Sequence, residues 1–153
     1  MTRFEKMLEM LYDESIKKTY MIPDLDDREK QMKLFVRFKD LSLTDEHFVY
    51  AICNENKPVG FMNDVEICDD FVELGYVISP EYKGRGYATE ALSAAIDELF
   101  EIGFACVRTG AFEENSASIR VMEKSGMTRI DQVDFIEYRG KNHRCVYYEK
   151  RKI

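Results

Sequence analysis

Apolar residues recur at spacings of three and four at the start of the chain, where Phe4, Met7, Leu8 and Leu11 mark one helical face. Pro23 breaks this pattern. A second helix is expected to open at Asp26 or Asp27 and to carry Met32, Leu34, Phe35 and Phe38. From His47 the period shortens to that of a strand. HFVYAIC is rich in β-branched and aromatic residues, Asn54-Glu55-Asn56-Lys57 supplies a turn, and PVGFMNDVEI resumes the pattern, which predicts a hairpin. A third strand is expected in DFVELGYVIS, ended by Pro80, whose nitrogen has no hydrogen to donate.

The strongest helical face follows, formed by Ala88, Ala91, Leu92, Ala95, Ile96, Leu99 and Phe100, with Gly103 placed as its stop. FACVRTGAF reads as a buried strand. Asn115 opens a short helix with Ile119, Val121 and Met122 that ends at Gly126. The tail reads as a hairpin, MTRIDQVDFIEYR and HRCVYYEK around a Gly140-Lys141-Asn142 turn. Two helices, three strands, helix, strand, helix and two strands predict a mixed α/β fold with a largely antiparallel sheet and helices on both faces. No repeat or linker interrupts the order, so residues 1–153 are expected to form a single domain.

Composition narrows the function classes. A chain of 153 residues, 45% hydrophobic and 33% charged, is an ordinary globular one. With 22 Lys and Arg against 29 Asp and Glu, the net charge of -7 argues against nucleic-acid binding, which relies on neutralising phosphates. A small basic patch can still hold one phosphorylated ligand. No apolar run approaches the roughly 18 residues needed to span a bilayer, and the acidic N-terminus has no signal-peptide core. A cytoplasmic protein without membrane partners is expected. Cys53, Cys68, Cys106 and Cys145 form no CxxC pair, and His47 and His143 are the two histidines, so no metal site is expected. The four thiols are expected to be buried and reduced.

The chemistry concentrates in Ser79-Pro80-Glu81-Tyr82-Lys83-Gly84-Arg85-Gly86-Tyr87-Ala88-Thr89, where a strand ends, a glycine turn follows and a helix begins. Amide hydrogens in the first turn of a helix attract anions. Gly84 and Gly86 permit left-handed backbone and close approach, and Lys83 and Arg85 add two full charges. This suits a pyrophosphate, although such a turn can also do no more than join a strand to a helix. The P-loop pattern GxxxxGK[ST] is absent. The dinucleotide fingerprint GxGxxG fails at its third glycine, where Thr89 stands.

VISPEYKGRGYATEAL resembles the acetyl-CoA-binding motif of the GNAT N-acetyltransferase superfamily, [Q/R]-x-x-G-x-[G/A], read here as Lys83-Gly84-Arg85-Gly86-Tyr87-Ala88. The Gly-Tyr-Ala-Thr-Glu-Ala wording is similar to the RimJ/RimL type. Asn115-Ser116-Ala117-Ser118-Ile119-Arg120-Val121-Met122-Glu123-Lys124-Ser125-Gly126-Met127 resembles that type's N-x-x-S-x-x-[VL]-x-E-K-x-G-F block. The resemblance covers roughly residues 45–150, and two motifs in order are more specific than either alone.

The resemblance implies a GNAT-type fold with a splay between the central strands and acetyl-CoA as co-substrate. Backbone groups of Val77 and Ile78 would pair with the pantetheine arm. The amides of Gly84, Arg85, Gly86, Tyr87, Ala88 and Thr89 would hold the pyrophosphate, with Lys83 beside them. Asn115 and Ser118 would contact the arm near its thiol, while Asn115 also suits a helix N-cap. Three departures stand out. Lys83 keeps the charge of the usual Arg but loses its planar fork. Met122 occupies the position where some members carry a tyrosine general acid. The family's first strand has no evident counterpart: either the sheet lacks an edge strand, whose exposed edge would favour a homodimer, or the N-terminal residues do that job differently.

Acetyl transfer to an amine requires deprotonation of the amine, whose pKa is near ~10, and polarisation of the thioester carbonyl. Glu73, on the strand leading to Val77, is the candidate base, directly or through water. A solvated or salt-bridged carboxylate is the alternative reading. A backbone N–H near Val77 or Ile78 is the candidate oxyanion donor, and Ser118 and Tyr87 are the candidate acids. Residues 44–79 hold eight acidic residues against Lys57 alone. That field would draw in a cationic amine if it borders the acceptor cleft, and otherwise marks a solvated face. The expected activity is direct transfer of acetyl from acetyl-CoA to a primary amine: a small amine, a polyamine or a peptide N-terminus. A non-catalytic CoA-binding module of the same fold is the alternative.

Overall fold

The computed structural model describes residues 3–18, 20–21 and 27–153. The Pro23 break and the Asp26 start lie outside the described residues, as do the side chains of Phe4, Leu8 and Phe38. In chain order the elements are α1 (Arg3–Tyr12), α2 (Glu14–Lys17), α3 (Arg28–Ser42), β1 (Val49–Asn54), β2 (Lys57–Ile67), β3 (Phe71–Ile78), a 3-10 turn (Pro80–Tyr82), α4 (Tyr87–Glu101), β4 (Cys106–Phe112), α5 (Ser116–Lys124), β5 (Thr128–Tyr138) and β6 (Lys141–Arg151). The strands form one mixed sheet in the order β1-β2-β3-β4-β6-β5. β1 with β2, β4 with β6 and β5 with β6 run antiparallel. β3 and β4 run parallel over four residue pairs, Phe71–Leu74 against Cys106–Thr109, and their register ends there.

Local chemistry explains the boundaries. Asp13 stops the first helix and caps α2, its carboxylate accepting from the N–H of Ser15 at 2.8 Å and of Ile16 at 3.2 Å. Asp27 caps α3 in the same way, through Lys30 N–H at 2.8 Å. The two hairpins close on two-residue turns with both residues left-handed: Glu55 and Asn56 (φ 50° and 69°), and Arg139 and Gly140 (φ 52° and 74°). This is the turn twist that matches paired strands. The second turn therefore lies one residue before the Gly140-Lys141-Asn142 expected from sequence, because Lys141 and Asn142 already pair with Tyr138 and Glu137. α4 and α5 both end in a Schellman arrangement, with Phe104 N–H reaching the Leu99 carbonyl and Met127 N–H reaching that of Met122.

The chain divides into two compact units, each with its own apolar centre. The first comprises residues 1–64 and 76–85. Here Met10, Leu11 and Ile16 of the N-terminal helices pack with Phe61 and Val77 of the sheet, flanked by Met7, Tyr20 and Leu34. The ring of Tyr20 stands edge-on to Phe61, centroids 5.5 Å apart, and its hydroxyl bonds to Asn63. The second unit comprises residues 65–75 and 86–153. α4 buries Leu92, Ala95, Ile96 and Leu99, the face its periodicity predicts. Each large aliphatic side chain so buried stabilises by about 1.5–3 kcal/mol. A separate cluster of Phe112, Cys145 and Tyr147 is flanked by Ile130, Ile136 and Tyr138.

The cysteines correct one expectation. All four are free, but only Cys106 and Cys145 are buried; Cys68 is half-buried and Cys53 is exposed. Cys53 lies at the end of the edge strand β1, where little packs over it.

Candidate functional site

β3 carries the first candidate residues. A Cβ added to Gly60 on β2 would stand 2.1 Å from the Val77 carbonyl oxygen, and the Ser79 N–H donates to the Val59 carbonyl at 2.8 Å. Val77 and Ser79 therefore direct their backbone groups to β2. By the alternation of a strand, Ile78 and Tyr76 direct theirs to the opposite side. Of the pair Val77 and Ile78, the backbone of Ile78 is the one that turns away from β2.

After Ile78 the chain makes the 3-10 turn and enters Lys83-Gly84-Arg85-Gly86. Gly84 and Gly86 adopt left-handed φ of 77° and 84°, and a Cβ on either would meet no atom of the described residues within 4 Å beyond its two chain neighbours. Lys83, Gly84, Arg85 and Gly86 are all exposed. The Arg85 guanidinium lies 5.5 Å from the Tyr82 ring centroid.

The turn leads directly into α4, and the start of that helix differs from those of α2, α3 and α5. Each of those three is capped by a side chain: Asp13, Asp27 or Asn115. The cap of α4 is Gly86, with no side-chain hydrogen bond. Its first intrahelical bond runs from Glu90 N–H to the Gly86 carbonyl at 3.0 Å, so Tyr87, Ala88 and Thr89 form the first turn. These three residues are half-buried.

Asn115 caps α5, its Oδ1 accepting from the Ser118 N–H at 3.2 Å. This couples the two residues singled out in the second motif and matches the capping reading of Asn115. Met122 is completely buried in α5, so the side chain at the family's tyrosine position is a packing residue in this chain.

Glu73 belongs to the second unit. It pairs in register with Arg108 of β4, and the two side chains share a face of the sheet. Burial pushes the Glu73 carboxyl above the ordinary glutamate value. The nearby Glu66 charge adds to this, Arg108 opposes it and Asp134 adds a smaller push. Arg108 itself stacks 4.2 Å over the Phe71 ring and donates to Gln132 at 3.2 Å and Glu149 at 3.3 Å. Glu73 is thus a half-buried carboxylate set beside Arg108. Sequence reading missed Arg108, Asp134 and Glu66 as its electrostatic neighbours; the parallel register that aligns 73 with 108 is a tertiary fact. Glu73, Gly86–Thr89, Asn115 and Ser118 fall in the second unit, and Val77, Ile78 and Lys83–Arg85 in the first. Among the described residues, no group of three His, Cys, Asp or Glu side chains converges as a metal site would require.

A mixed sheet whose parallel central pair leads through a glycine turn into a helix without a side-chain cap is the layout of a GNAT-type acyltransferase. The acetyltransferase (GNAT) domain profile matches residues 2–128, and the chain belongs to that family. It is 31% identical over 110 residues to the uncharacterized N-acetyltransferase YnaD of Bacillus subtilis, an alignment that covers 71% of this chain and 64% of that relative. Among solved structures it is similar to a GNAT-family acetyltransferase from Bacillus anthracis, with 27% identity, 97% and 88% of the two chains covered and a TM-score of 0.78. It also superposes on RimL, a ribosomal L7/L12 α-N-protein acetyltransferase in complex with coenzyme A, over 97% and 88% of the chains with a TM-score of 0.86. At 17% identity that likeness concerns the fold.

Proposed function

We propose that this chain transfers an acetyl group from acetyl-CoA to a primary amine by direct attack within a ternary complex. The observation that carries this reading is the start of α4. Its N-cap is a left-handed glycine with open space around it, no side chain occupies the cap, and two cations precede it. Such an arrangement reserves the first-turn amides and the helix dipole for an anion. The cofactor's diphosphate is that anion, held by Gly84 to Thr89 with Lys83 and Arg85 supplying full charges. The outward-turned backbone of Ile78 is read as the partner of the pantetheine arm, and the Asn115 amide nitrogen as a contact near the thiol. The coenzyme A in the RimL complex supports this cofactor class.

Acetyl-CoA supplies a thioester carbonyl as electrophile. The amine enters as an ammonium and must lose its proton. Glu73 takes it, directly or through water; a carboxyl raised toward neutrality is the better base. The amine nitrogen then attacks the carbonyl carbon. The oxyanion that forms is met by a backbone N–H near Val77 or Ile78. Collapse expels the CoA thiolate, the nitrogen gives up its remaining excess proton to that thiolate or to solvent, and the amide is left. Glu66 and Asp134 each lie close enough to Glu73 to raise its carboxyl electrostatically. They favour a cationic acceptor, such as a polyamine or a basic peptide terminus, over a neutral one.

The test is a panel of amines (polyamines, amino acids, aminoglycosides and N-terminal peptides) scored by release of the CoA thiol. Amine-dependent thiol release supports the reading. A protein that binds acetyl-CoA yet turns over with none of these amines is the non-catalytic module.

A further inference from the structure

The turn that precedes Gly84 carries a carboxylate of the wrong sign for a diphosphate site. Between Ser79 and Gly86 the charged residues are Glu81, Lys83 and Arg85. Glu81 is the only acid among them, and its side chain is 56% exposed. It is paired with a cation from a distant part of the chain. Lys6 of α1, with a side chain only 12% exposed, forms an ion pair with Glu81. The same ammonium lies 5.5 Å from the Tyr82 ring centroid and 3.6 Å from Glu9. A second acid of the N-terminal helices, Asp13, feels the charge of Lys83, but its carboxylate is engaged by Ser15 and Ile16 in capping α2.

We propose that Lys6 is a positioning residue for the cofactor: by holding Glu81 in an ion pair it removes the one negative charge from the turn and leaves Lys83 and Arg85 to face the diphosphate. Lys6 does not touch the anion; it acts through Glu81. The inference rests on the reading of this turn as a diphosphate site. It adds a dependence of cofactor affinity on the first helix, which belongs to neither motif.

The experiment is titration calorimetry with CoA and acetyl-CoA on the full chain, at low and at high salt. Lys6→Met leaves Glu81 unpaired beside the anion site and should weaken CoA about threefold to tenfold at low salt. Glu81→Gln leaves the ammonium in place and should tighten CoA by about threefold. The double variant Lys6→Met/Glu81→Gln should return to native affinity, and Lys6→Arg should retain it. All differences should shrink in high salt, where such charges are screened. In turnover, Lys6→Met should raise KM for acetyl-CoA with kcat unchanged. A double variant as weak as Lys6→Met, or a Glu81→Gln variant that does not tighten, would overturn the proposal; the second arm holds even if Lys6→Met fails to fold. Native protein that binds neither CoA nor acetyl-CoA overturns the diphosphate reading itself. Native binding with unshifted variants overturns only the role of Lys6.

Discussion

Gly60 and Val77 face each other so closely that a side chain on the first would stand 2.1 Å from the carbonyl oxygen of the second. The contact is backbone against backbone, so neither a rotamer change nor a flexible tip relieves it. The Ile78 Cδ1 would also lie at 3.0 Å. This close approach brings β2 onto the last residues of β3, and those residues aim the backbone of Ile78 outward.

Gly60→Ala is therefore expected to destabilise the fold by about 2–4 kcal/mol, within the range of overpacked and strained core sites. Urea denaturation measures it. Because the substitution pushes on Val77, cofactor affinity should fall along with stability. A Gly60→Ala protein with native midpoint and native CoA affinity would show that β2 and β3 part freely here.

Glu73→Gln tests the base, and its pH dependence has a definite sign. The folded-state carboxyl titrates above its unfolded value, so the folded protein holds that proton to higher pH than the unfolded chain does. Stability from this group falls as pH rises from the ordinary glutamate value through the raised one. Glu73→Gln should thus be more stable than native at pH 7, with the gap closing below about pH 4. Its kcat should drop by about 100-fold or more, and the acid limb of the pH–rate profile should vanish. Unchanged kcat and profile would remove Glu73 from the base role.

Much of this arrangement is written locally. The period of Leu92, Ala95, Ile96 and Leu99, the glycine stops at 103 and 126, and the contiguous run from Lys83 to Thr89 all act through neighbours in sequence. Elements and turn chemistry were legible for that reason. What was not legible depends on register or on long loops. Lys6 meets Glu81 across 75 positions, and Glu73 meets Arg108 only once β3 and β4 pair in parallel. The break between α1 and α2 at Asp13 was also hidden, since the apolar spacing alone shows no interruption there. The exposure of Cys53 followed from β1 lying at the sheet edge, which composition does not reveal.

Asn115 has two separable roles, and two substitutions divide them. Asp retains the oxygen that accepts from Ser118 N–H but loses the amide donor read as a cofactor contact. Asn115→Asp should keep native stability and raise KM for acetyl-CoA. Asn115→Ala should lose about 1 kcal/mol of stability as well. Equal KM in both variants and in the native enzyme would leave Asn115 a cap alone.

Gly84→Ala separates folding from binding most sharply. Beyond the two chain neighbours, no atom of the described residues lies within 4 Å of the added methyl, so the structural cost is confined to the left-handed φ of 77°. That amounts to about 1–2 kcal/mol, small enough for a folded protein. The methyl would project into the open space assigned to the diphosphate, where backbone approach must be close. CoA affinity is expected to fall about tenfold or more, an effect of at least about 1.4 kcal/mol on binding alone. Calorimetry beside a thermal melt separates the two quantities. Native affinity in a folded Gly84→Ala protein would mean that the anion does not approach this turn, and the assignment of Lys83 to Thr89 as the diphosphate cradle would fail with it.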